Sequence, residues 1–258
     1  MKIIIIIEKY GGFCNRFFQS LHYHAFSIEN NIYFFNPSLL GLLKFDNSFY
    51  YFWDKVNNFC LSILARFIKY LFGKDNICFY LNEDNYIKIV NGWNFRVNSL
   101  TKKHHKELKE IYDFKKEYLK GKANLLVNYL EKLKKKGKYL IGLHIRRNDY
   151  KLWNNGKFYF SNEFYEFVVK KIRLDFVNIN KDPFIILVSD EKMSTKIGVD
   201  FISHGSWKED QIILQSCDIL IGPPSTFTMW ASYISQVPLI KLTSNKMKKF
   251  SGGKVCEG

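Results

Sequence analysis

The stretch YLIGLHIRRNDY, residues 139–150, joins a continuous apolar run to two adjacent arginines. The run Tyr139–Ile145 is short and bounded by charge, so it predicts a buried strand. Guanidinium groups bind phosphate through charge-assisted hydrogen bonds, each worth about 1.5–3 kcal/mol net. Arg146 and Arg147 therefore predict a phosphate-binding turn directly after the strand. A structural ion pair between Arg146 and Asp149 is the alternative.

Short apolar runs and helical patterns alternate after this strand. Strands and helices of this length in alternation predict a parallel, doubly wound α/β sheet. The predicted elements are helix Asn162–Leu174, strand Phe184–Ser189, strand Gly198–Ser203, helix Lys208–Ser216, strand Ile219–Gly222, helix Phe227–Ser235 and strand Pro238–Leu242.

The first half of the chain opens with strand Lys2–Ile7, a turn at Gly11 and Gly12, and helix Asn15–Glu29. That succession is typical of a Rossmann-like unit. Less regular segments follow: β-rich runs 31–36, 77–81 and 86–91, and one or two amphipathic helices within 101–136. A charge-rich helix end at 136–138 predicts two domains, 1–136 and 137–258.

Two further polar segments come at the ends of predicted strands, where an open α/β sheet binds its ligand. Ser189 and Asp190 follow one strand, and a carboxylate there can accept hydrogen bonds from a guanine edge or a ribose hydroxyl. Ser225 and Thr226 follow another strand and begin a helix, whose N-terminus favours anions. Helix capping is the alternative role for both segments.

The formal charge of +15 favours an anionic partner: nucleic acid, anionic lipid or a phosphorylated small molecule. Part of this surplus, around 102–109 and 132–138, can equally be a solvated helical face. Nucleic acid is disfavoured because no aromatic–basic interleaving accompanies the charge. Segment 59–72, FCLSILARFIKYLF, predicts a core helix or an interfacial helix on an anionic membrane. The short apolar start and the five cysteines without a C-x-x-C pair favour the cytoplasm.

Metal and thiol chemistry find little support in the sequence. The pairs His22/His24 and His104/His105 lack further ligands at metal spacing, and no D-x-D motif occurs. Cys217 lies in a predicted core helix without a base partner. We therefore expect a site without a metal or another cofactor.

Four ordered segments resemble motifs of the α-1,2-fucosyltransferases and their relatives. HIRRNDY at 144–150 is similar to their H-x-R-R-G-D-Y motif, and GGFCNRFFQ at 11–19 to their G-G-x-G-N-x-x-x-Q turn. VSDE at 188–191 resembles the second motif, and the stretch 209–230 resembles the segment that closes with S-S-F-x-x-W. The resemblance spans residues 11 to about 242.

The resemblance implies a GT-B fold of two Rossmann-like domains with parallel sheets facing a cleft, the first domain being the acceptor side and the second the donor side. It also implies inverting, metal-free transfer of L-fucose from GDP-fucose to a glycan hydroxyl, as in polysaccharide biosynthesis. Arg146 would hold the β-phosphate, and Arg147 and Asp149 would support the loop. The other substrate-binding positions would be His144, Asp190, Ser225, Thr226, Phe227, Gly12 and Asn15. The proton acceptor is not identified by the motifs, and Glu8 and Asp149 are the candidates.

Three positions depart from the family pattern. Asn148 and Cys14 replace glycines, and Thr226 replaces the second serine. Asn tolerates left-handed backbone angles, whereas a Cβ at Cys14 could keep the turn away from a ligand. The alternatives are therefore another nucleotide sugar, a sugar-nucleotide-binding protein without turnover and, less favoured, a nucleic-acid-binding protein.

Overall fold

The computed structural model describes residues 2–7, 10–39, 59–60, 63–64, 66–67, 70–71, 76–82, 84–90, 93–113, 122–193, 197–244, 250 and 253–257. The chain divides into two compact units. The first comprises Met1–Glu117 with Glu257–Gly258, and the second comprises Tyr118–Cys256.

The first unit is built on a four-stranded sheet of order β2-β1-β4-β3. Strand β1 is paired in parallel with both β2 and β4. Its elements are β1 (Lys2–Ile6), α1 (Phe13–Glu29), β2 (Tyr33–Phe35), a 3-10 turn (Pro37–Leu39), β3 (Asn76–Asn82), β4 (Asn85–Val90), α2 (Asn98–Lys103) and α3 (His105–Tyr112).

Strand β3 corrects the prediction of parallel sheets in both domains. It runs antiparallel to β4 and forms the edge of the sheet. Only residues 83 and 84 separate the two strands, and a connection this short can join antiparallel strands but not parallel ones. The first sheet is therefore mixed.

Helix α1 packs two histidines into the interior of the first unit. His22 Nδ1 accepts a hydrogen bond from the Val97 amide at 3.1 Å, and His24 Nδ1 lies 3.1 Å from the Tyr112 hydroxyl. Burial lowers the pKa of each histidine to about 4. Both are thus neutral side chains that tie α1 to the segments after β4.

The second unit is a five-stranded parallel sheet of order β7-β6-β5-β8-β9, as predicted for this half. One face packs against α5, and the other packs against α4, α6 and α7, so the α/β doubly wound class is confirmed. The elements are α4 (Lys122–Lys135), β5 (Lys138–Ile145), α5 (Asn162–Val177), β6 (Asp182–Ser189), β7 (Phe201–Ile202), α6 (Trp207–Gln215), β8 (Ile219–Gly222), α7 (Thr226–Ser235) and β9 (Leu239–Lys241).

Helix α4 belongs to the second unit, so the division falls before it and not near residues 136–138 as in the sequence analysis. Leu130 is 1% exposed, and Leu126 and Leu133 pack against the same cluster on the second sheet. The described parts of segment 101–136, residues 101–113 and 122–136, contain parts of three helices where one or two were predicted. The strand predicted at 198–203 shortens to Phe201–Ile202, and Gly198 at its predicted start has a left-handed φ of 77°.

Segment 59–72 falls partly outside the described residues. Those described, residues 59, 60, 63, 64, 66, 67, 70 and 71, have helical backbone and exposed side chains. A core helix is therefore not seen for these eight positions. Among the described parts of the chain, no helix combines the length and the apolar character needed to span a bilayer.

Candidate active site

The strand order of the second sheet defines one point where its direction of winding reverses. From β5 the chain proceeds outward to β6 and β7, then returns to the other side of β5 with β8 and β9. Open α/β sheets bind ligands outside the carboxyl ends of the strands at such a switch point. A ligand site is therefore expected at the residues that follow β5 and β8.

Hydrogen bonds tie the end of β5 to the end of β6. The strands finish level with each other, with Ile145 opposite Ser189. The Arg147 amide donates to Asp190 Oδ1 at 2.8 Å, and Asn148 Nδ2 donates to the Asp190 carbonyl at 2.9 Å. The Arg146-Arg147 turn is thereby fixed against the segment after β6.

The end of β5 is also tied to the start of α7. His144 Nδ1 lies 2.6 Å from Thr228 Oγ1, and the Tyr150 hydroxyl donates to the Pro224 carbonyl. A Cβ added to Gly222 would lie 3.0 Å from both the Cβ and the carbonyl oxygen of His144, so the close approach of β8 to β5 favours glycine. Together these contacts bring all three sequence-predicted segments of this half into one site.

His144 is buried, and its ring is tilted at 5.4 Å from that of Phe227. Burial, helped by the charge of Arg146, lowers the pKa of His144 to about 3. The imidazole is therefore neutral at physiological pH. Its hydrogen bond to Thr228 is a structural contact that holds α7 beside the Arg146-Arg147 turn.

Arg146 is held by carboxylates on one side of its guanidinium. Nε donates to Asp149 Oδ1 at 2.9 Å and lies 3.3 Å from Asp190 Oδ2, an ion pair without hydrogen-bond geometry. Within the described residues, neither terminal Nη atom of Arg146 has a hydrogen-bond partner. Burial lowers the pKa of Arg146, but both carboxylates raise it, and the net direction is upward. A permanently charged donor pair is thus left for an anion.

Arg147 has its side chain inside the protein and is only 5% exposed. Its Nη atoms donate to the Phe160 carbonyl and to Asn162 Oδ1 at the start of α5. The guanidinium carbon lies 5.0 Å and 5.6 Å from the ring centroids of Tyr159 and Tyr165. These contacts are those of a residue that supports the turn, and they leave little of the Arg147 side chain exposed to a substrate.

The two candidate proton acceptors differ in what the structure describes. Asp149 begins a 3-10 turn, its side chain is 57% exposed, and one of its carboxylate oxygens accepts from Arg146. Glu8 lies outside the described residues.

Asn148 has a φ of −34°, so its tolerance of left-handed angles is not used here.

The N-terminus of α7 begins at the same edge of the sheet. Ser225 is the N-cap, and its hydroxyl accepts from the Phe227 amide at 3.3 Å. Thr226 and Phe227 form the first turn, and both are partly exposed. The capping role and the anion-binding role coexist here, because a helix N-terminus presents several amides and the cap satisfies one of them.

The glycine turn of the first unit lies at the carboxyl edge of its own sheet. Gly11 has a left-handed φ of 56°, a backbone conformation that favours glycine. Gly12 is exposed and caps α1, whereas Asn15 is partly exposed. Cys14 lies in the first turn of α1 and is 5% exposed, so its side chain points into the unit and does not alter the exposed turn.

An aromatic stack at this edge was missed by the sequence analysis. Tyr10 follows β1 and Trp93 follows the neighbouring strand β4, and their rings stack at 4.1 Å with an interplanar angle of 11°. Arg96 lies 4.7 Å from the centroid of Trp93. Tyr10 is 40% exposed, so the stack ends in an accessible aromatic ring. No local pattern connects residues so distant in sequence.

Asp210 was also missed. It lies in the first turn of α6, where Ser203 donates to its carboxylate, and it is 8% exposed. Burial raises the pKa of Asp210 to about 6. Its neighbour Gln211 donates to the Phe227 carbonyl at 2.7 Å, which connects α6 to the first turn of α7. A buried carboxyl with a raised pKa close to a ligand edge is a functional candidate.

No group of three or more His, Cys, Asp or Glu side chains that could hold a metal ion occurs among the residues that the structure describes. Cys217 is buried in the core of the second unit, and burial raises the pKa of its thiol. A thiol kept protonated in this way is a poor nucleophile.

Neither a protein-family model nor a curated protein matches the sequence. Among solved structures, the NodZ α-1,6-fucosyltransferase soaked with GDP-fucose is 12% identical, with 93% of this chain and 95% of that chain covered and a TM-score of 0.45. Fucosyltransferase NodZ from Bradyrhizobium is 11% identical over the same shares, with a TM-score of 0.41. The NodZ enzyme co-crystallised with GDP is 14% identical over the same shares, with a TM-score of 0.44. Likenesses this weak carry no argument about the activity of this chain.

Proposed function

We propose that the chain is a nucleotide-sugar-dependent glycosyltransferase that moves L-fucose from GDP-fucose to a hydroxyl of a glycan acceptor. One observation carries the proposal. Arg146 stands at the switch point of a parallel sheet, beside the N-terminus of α7, with Nε bound by carboxylates and both Nη atoms facing no described partner. This arrangement suits a diphosphate, because a guanidinium and helix amides both favour phosphate oxygens.

The proposed reaction is an inverting substitution. The acceptor oxygen forms a bond to the anomeric carbon while the bond from that carbon to the β-phosphate oxygen breaks, and the electron pair leaves with GDP. Arg146 and the α7 amides would stabilise the charge that grows on the phosphate, so the proposal needs no metal ion. The acceptor proton passes to a carboxylate, for which Asp149 and Glu8 are the candidates.

The choice of GDP-fucose as the donor rests on the resemblance of residues 144–150 and the three other motifs to the fucosyltransferases. Asp190 remains our proposed contact to the nucleoside, although Oδ1 already accepts from the Arg147 amide. Its Oδ2 is buried, makes no hydrogen bond in the described structure and lies 3.3 Å from Arg146 Nε, so contact with a base or ribose donor would require the Arg146–Asp190 pair to open.

We propose the first unit as the acceptor side. Support comes from the exposed Tyr10 ring, which ends the stack with Trp93 at the carboxyl edge of the first sheet. Aromatic rings present a flat apolar face with a polar handle, and the C–H faces of sugar rings pack against such surfaces. Gly12 and Asn15 begin α1 at the same edge and would face the sugar chain.

Calorimetry with GDP, UDP, CMP and a short DNA duplex tests the donor. We expect selective GDP binding that is lost in Arg146→Ala and kept in Arg173→Ala. Arg173 is a matched control because it also pairs with a carboxylate, Asp200, but lies in the second half of α5, toward the amino ends of the strands. Tight duplex binding without nucleotide preference would show the proposal to be wrong.

Release of GDP from GDP-fucose, measured with an array of glycan acceptors, tests turnover. We expect acceptor-dependent GDP release by the wild type and none by Arg146→Ala. A chain that binds GDP but never releases it from GDP-fucose would be a sugar-nucleotide-binding protein. Selective binding and turnover of a UDP- or CMP-sugar would keep the transferase and change the donor.

A further inference from the structure

The described residues between positions 59 and 71 present a helix face that is apolar and exposed. Phe59 is 66% exposed, and the next apolar residues on this face remain about half exposed or more: Ile63 51%, Leu64 45%, Phe67 57%, Tyr70 86% and Leu71 54%. Cys60 is exposed as well. Large apolar side chains in such a contiguous set mark a binding surface in most soluble proteins.

These side chains share one side of the helix. At roughly 3.6 residues per turn, the apolar positions among the described residues lie within an arc of about 140°, with Phe59 and Leu64 at its two ends. Arg66, the one charged residue among the described positions, falls at the edge of this arc beside Tyr70. An apolar arc with a cation and a tyrosine along one border suits a helix that lies in the plane of a membrane interface.

Charge identifies the kind of partner. Residues 59–74 carry Arg66, Lys69 and Lys74 and no acidic residue, in a chain of formal charge +15. Anionic headgroups attract such a segment, with about 1 kcal/mol for each basic residue near the surface. A second copy of the chain would bring two cationic segments together, which like-charge repulsion opposes.

We propose that the apolar face formed by the described residues between positions 59 and 71 docks the protein on the surface of a bilayer that contains anionic phospholipid and inserts between the headgroups. The proposal is independent of the donor and of the reaction proposed above. It makes the chain a peripheral membrane protein, because the helix lies on the surface and does not span it.

Co-sedimentation of the full chain with phosphatidylcholine vesicles, with and without phosphatidylglycerol, tests the proposal. We expect the wild type to bind only the anionic vesicles. The double variant Ile63→Glu/Phe67→Glu should bind them at least about tenfold more weakly, since it removes two apolar contacts and adds two negative charges.

The matched control is Leu174→Glu/Val177→Glu on α5. It makes the same change in charge at side chains of similar exposure, 66% and 58%, and should retain most of the binding. Equal losses in both double variants would overturn the proposal, because the attraction would then depend on total charge alone.

Two further measurements exclude other occupants of the face. Sedimentation velocity should find a monomer; a dimer that Ile63→Glu/Phe67→Glu disperses would assign the face to a second copy. The urea midpoint of that variant should equal the wild-type value, and a large drop would mean that the face packs within the chain. A wild type that binds neither vesicle also refutes the proposal.

Discussion

Replacing Arg147 with methionine separates a support for the turn from a ligand contact. The change removes two charge-assisted hydrogen bonds, to the Phe160 carbonyl and to Asn162 Oδ1, each worth about 1.5–3 kcal/mol. Methionine keeps much of the packing against the neighbouring tyrosines, and loss of a buried charge recovers part of the desolvation cost. We therefore expect the free energy of unfolding to fall by about 2–4 kcal/mol.

The assay is urea unfolding followed by circular dichroism, with midpoints and slopes compared between variants. Arg146→Met is the comparison: its side chain is 30% exposed and pairs with the exposed Asp149 and with the more buried Asp190, so its loss should cost on the order of 1–2 kcal/mol, less than that of Arg147. GDP affinity should show the opposite order, with a larger loss in Arg146→Met than in Arg147→Met. If Arg147→Met unfolds like the wild type and instead loses GDP, the guanidinium binds the ligand and the supporting role is wrong.

Three more outcomes are expected. Because burial raises the pKa of Asp210 from 3.8 to about 6, the folded state binds more protons than the unfolded state between these values, so this carboxyl lowers stability as pH rises through that window. Urea melts should therefore find Asp210→Asn more stable than the wild type at pH 7, by on the order of 2 kcal/mol. Near pH 3 the same melts should show no such gain in stability. Gly222→Ala should push β8 from His144, costing roughly 1–3 kcal/mol in the same melts and weakening GDP binding in calorimetry. Tyr10→Ala should raise the acceptor KM at saturating GDP-fucose, while Tyr10→Phe, which keeps the stack on Trp93, should not; a fall in kcat alone would contradict an acceptor role.

Much of the second unit could be predicted from its sequence, because its signals are local. The apolar run before Arg146 is a strand buried between neighbours on both sides, and strands of that kind read as continuous hydrophobic segments. Ser225 stands where a cap was expected. Polar residues at the carboxyl ends of parallel strands meet because the sheet edge is common to them all.

What could not be predicted depends on partners distant in the chain. The antiparallel pairing of β3 is set by its short connection to β4, and the place of α4 by which core its leucines meet. The apolar pattern alone does not distinguish these outcomes. Arg146 and Arg147 are likewise adjacent in sequence, yet one is partly exposed and the other is enclosed by residues from the loop and helix that follow.

The most direct test of the site is calorimetry with GDP and GMP on the wild type and Arg146→Ala. If the guanidinium binds the β-phosphate, the variant should lose roughly 10- to 150-fold in GDP affinity, the value of one charge-assisted hydrogen bond, and change little toward GMP, which lacks that phosphate. Equal losses for both nucleotides, or none for either, would contradict the assignment of Arg146 to the diphosphate.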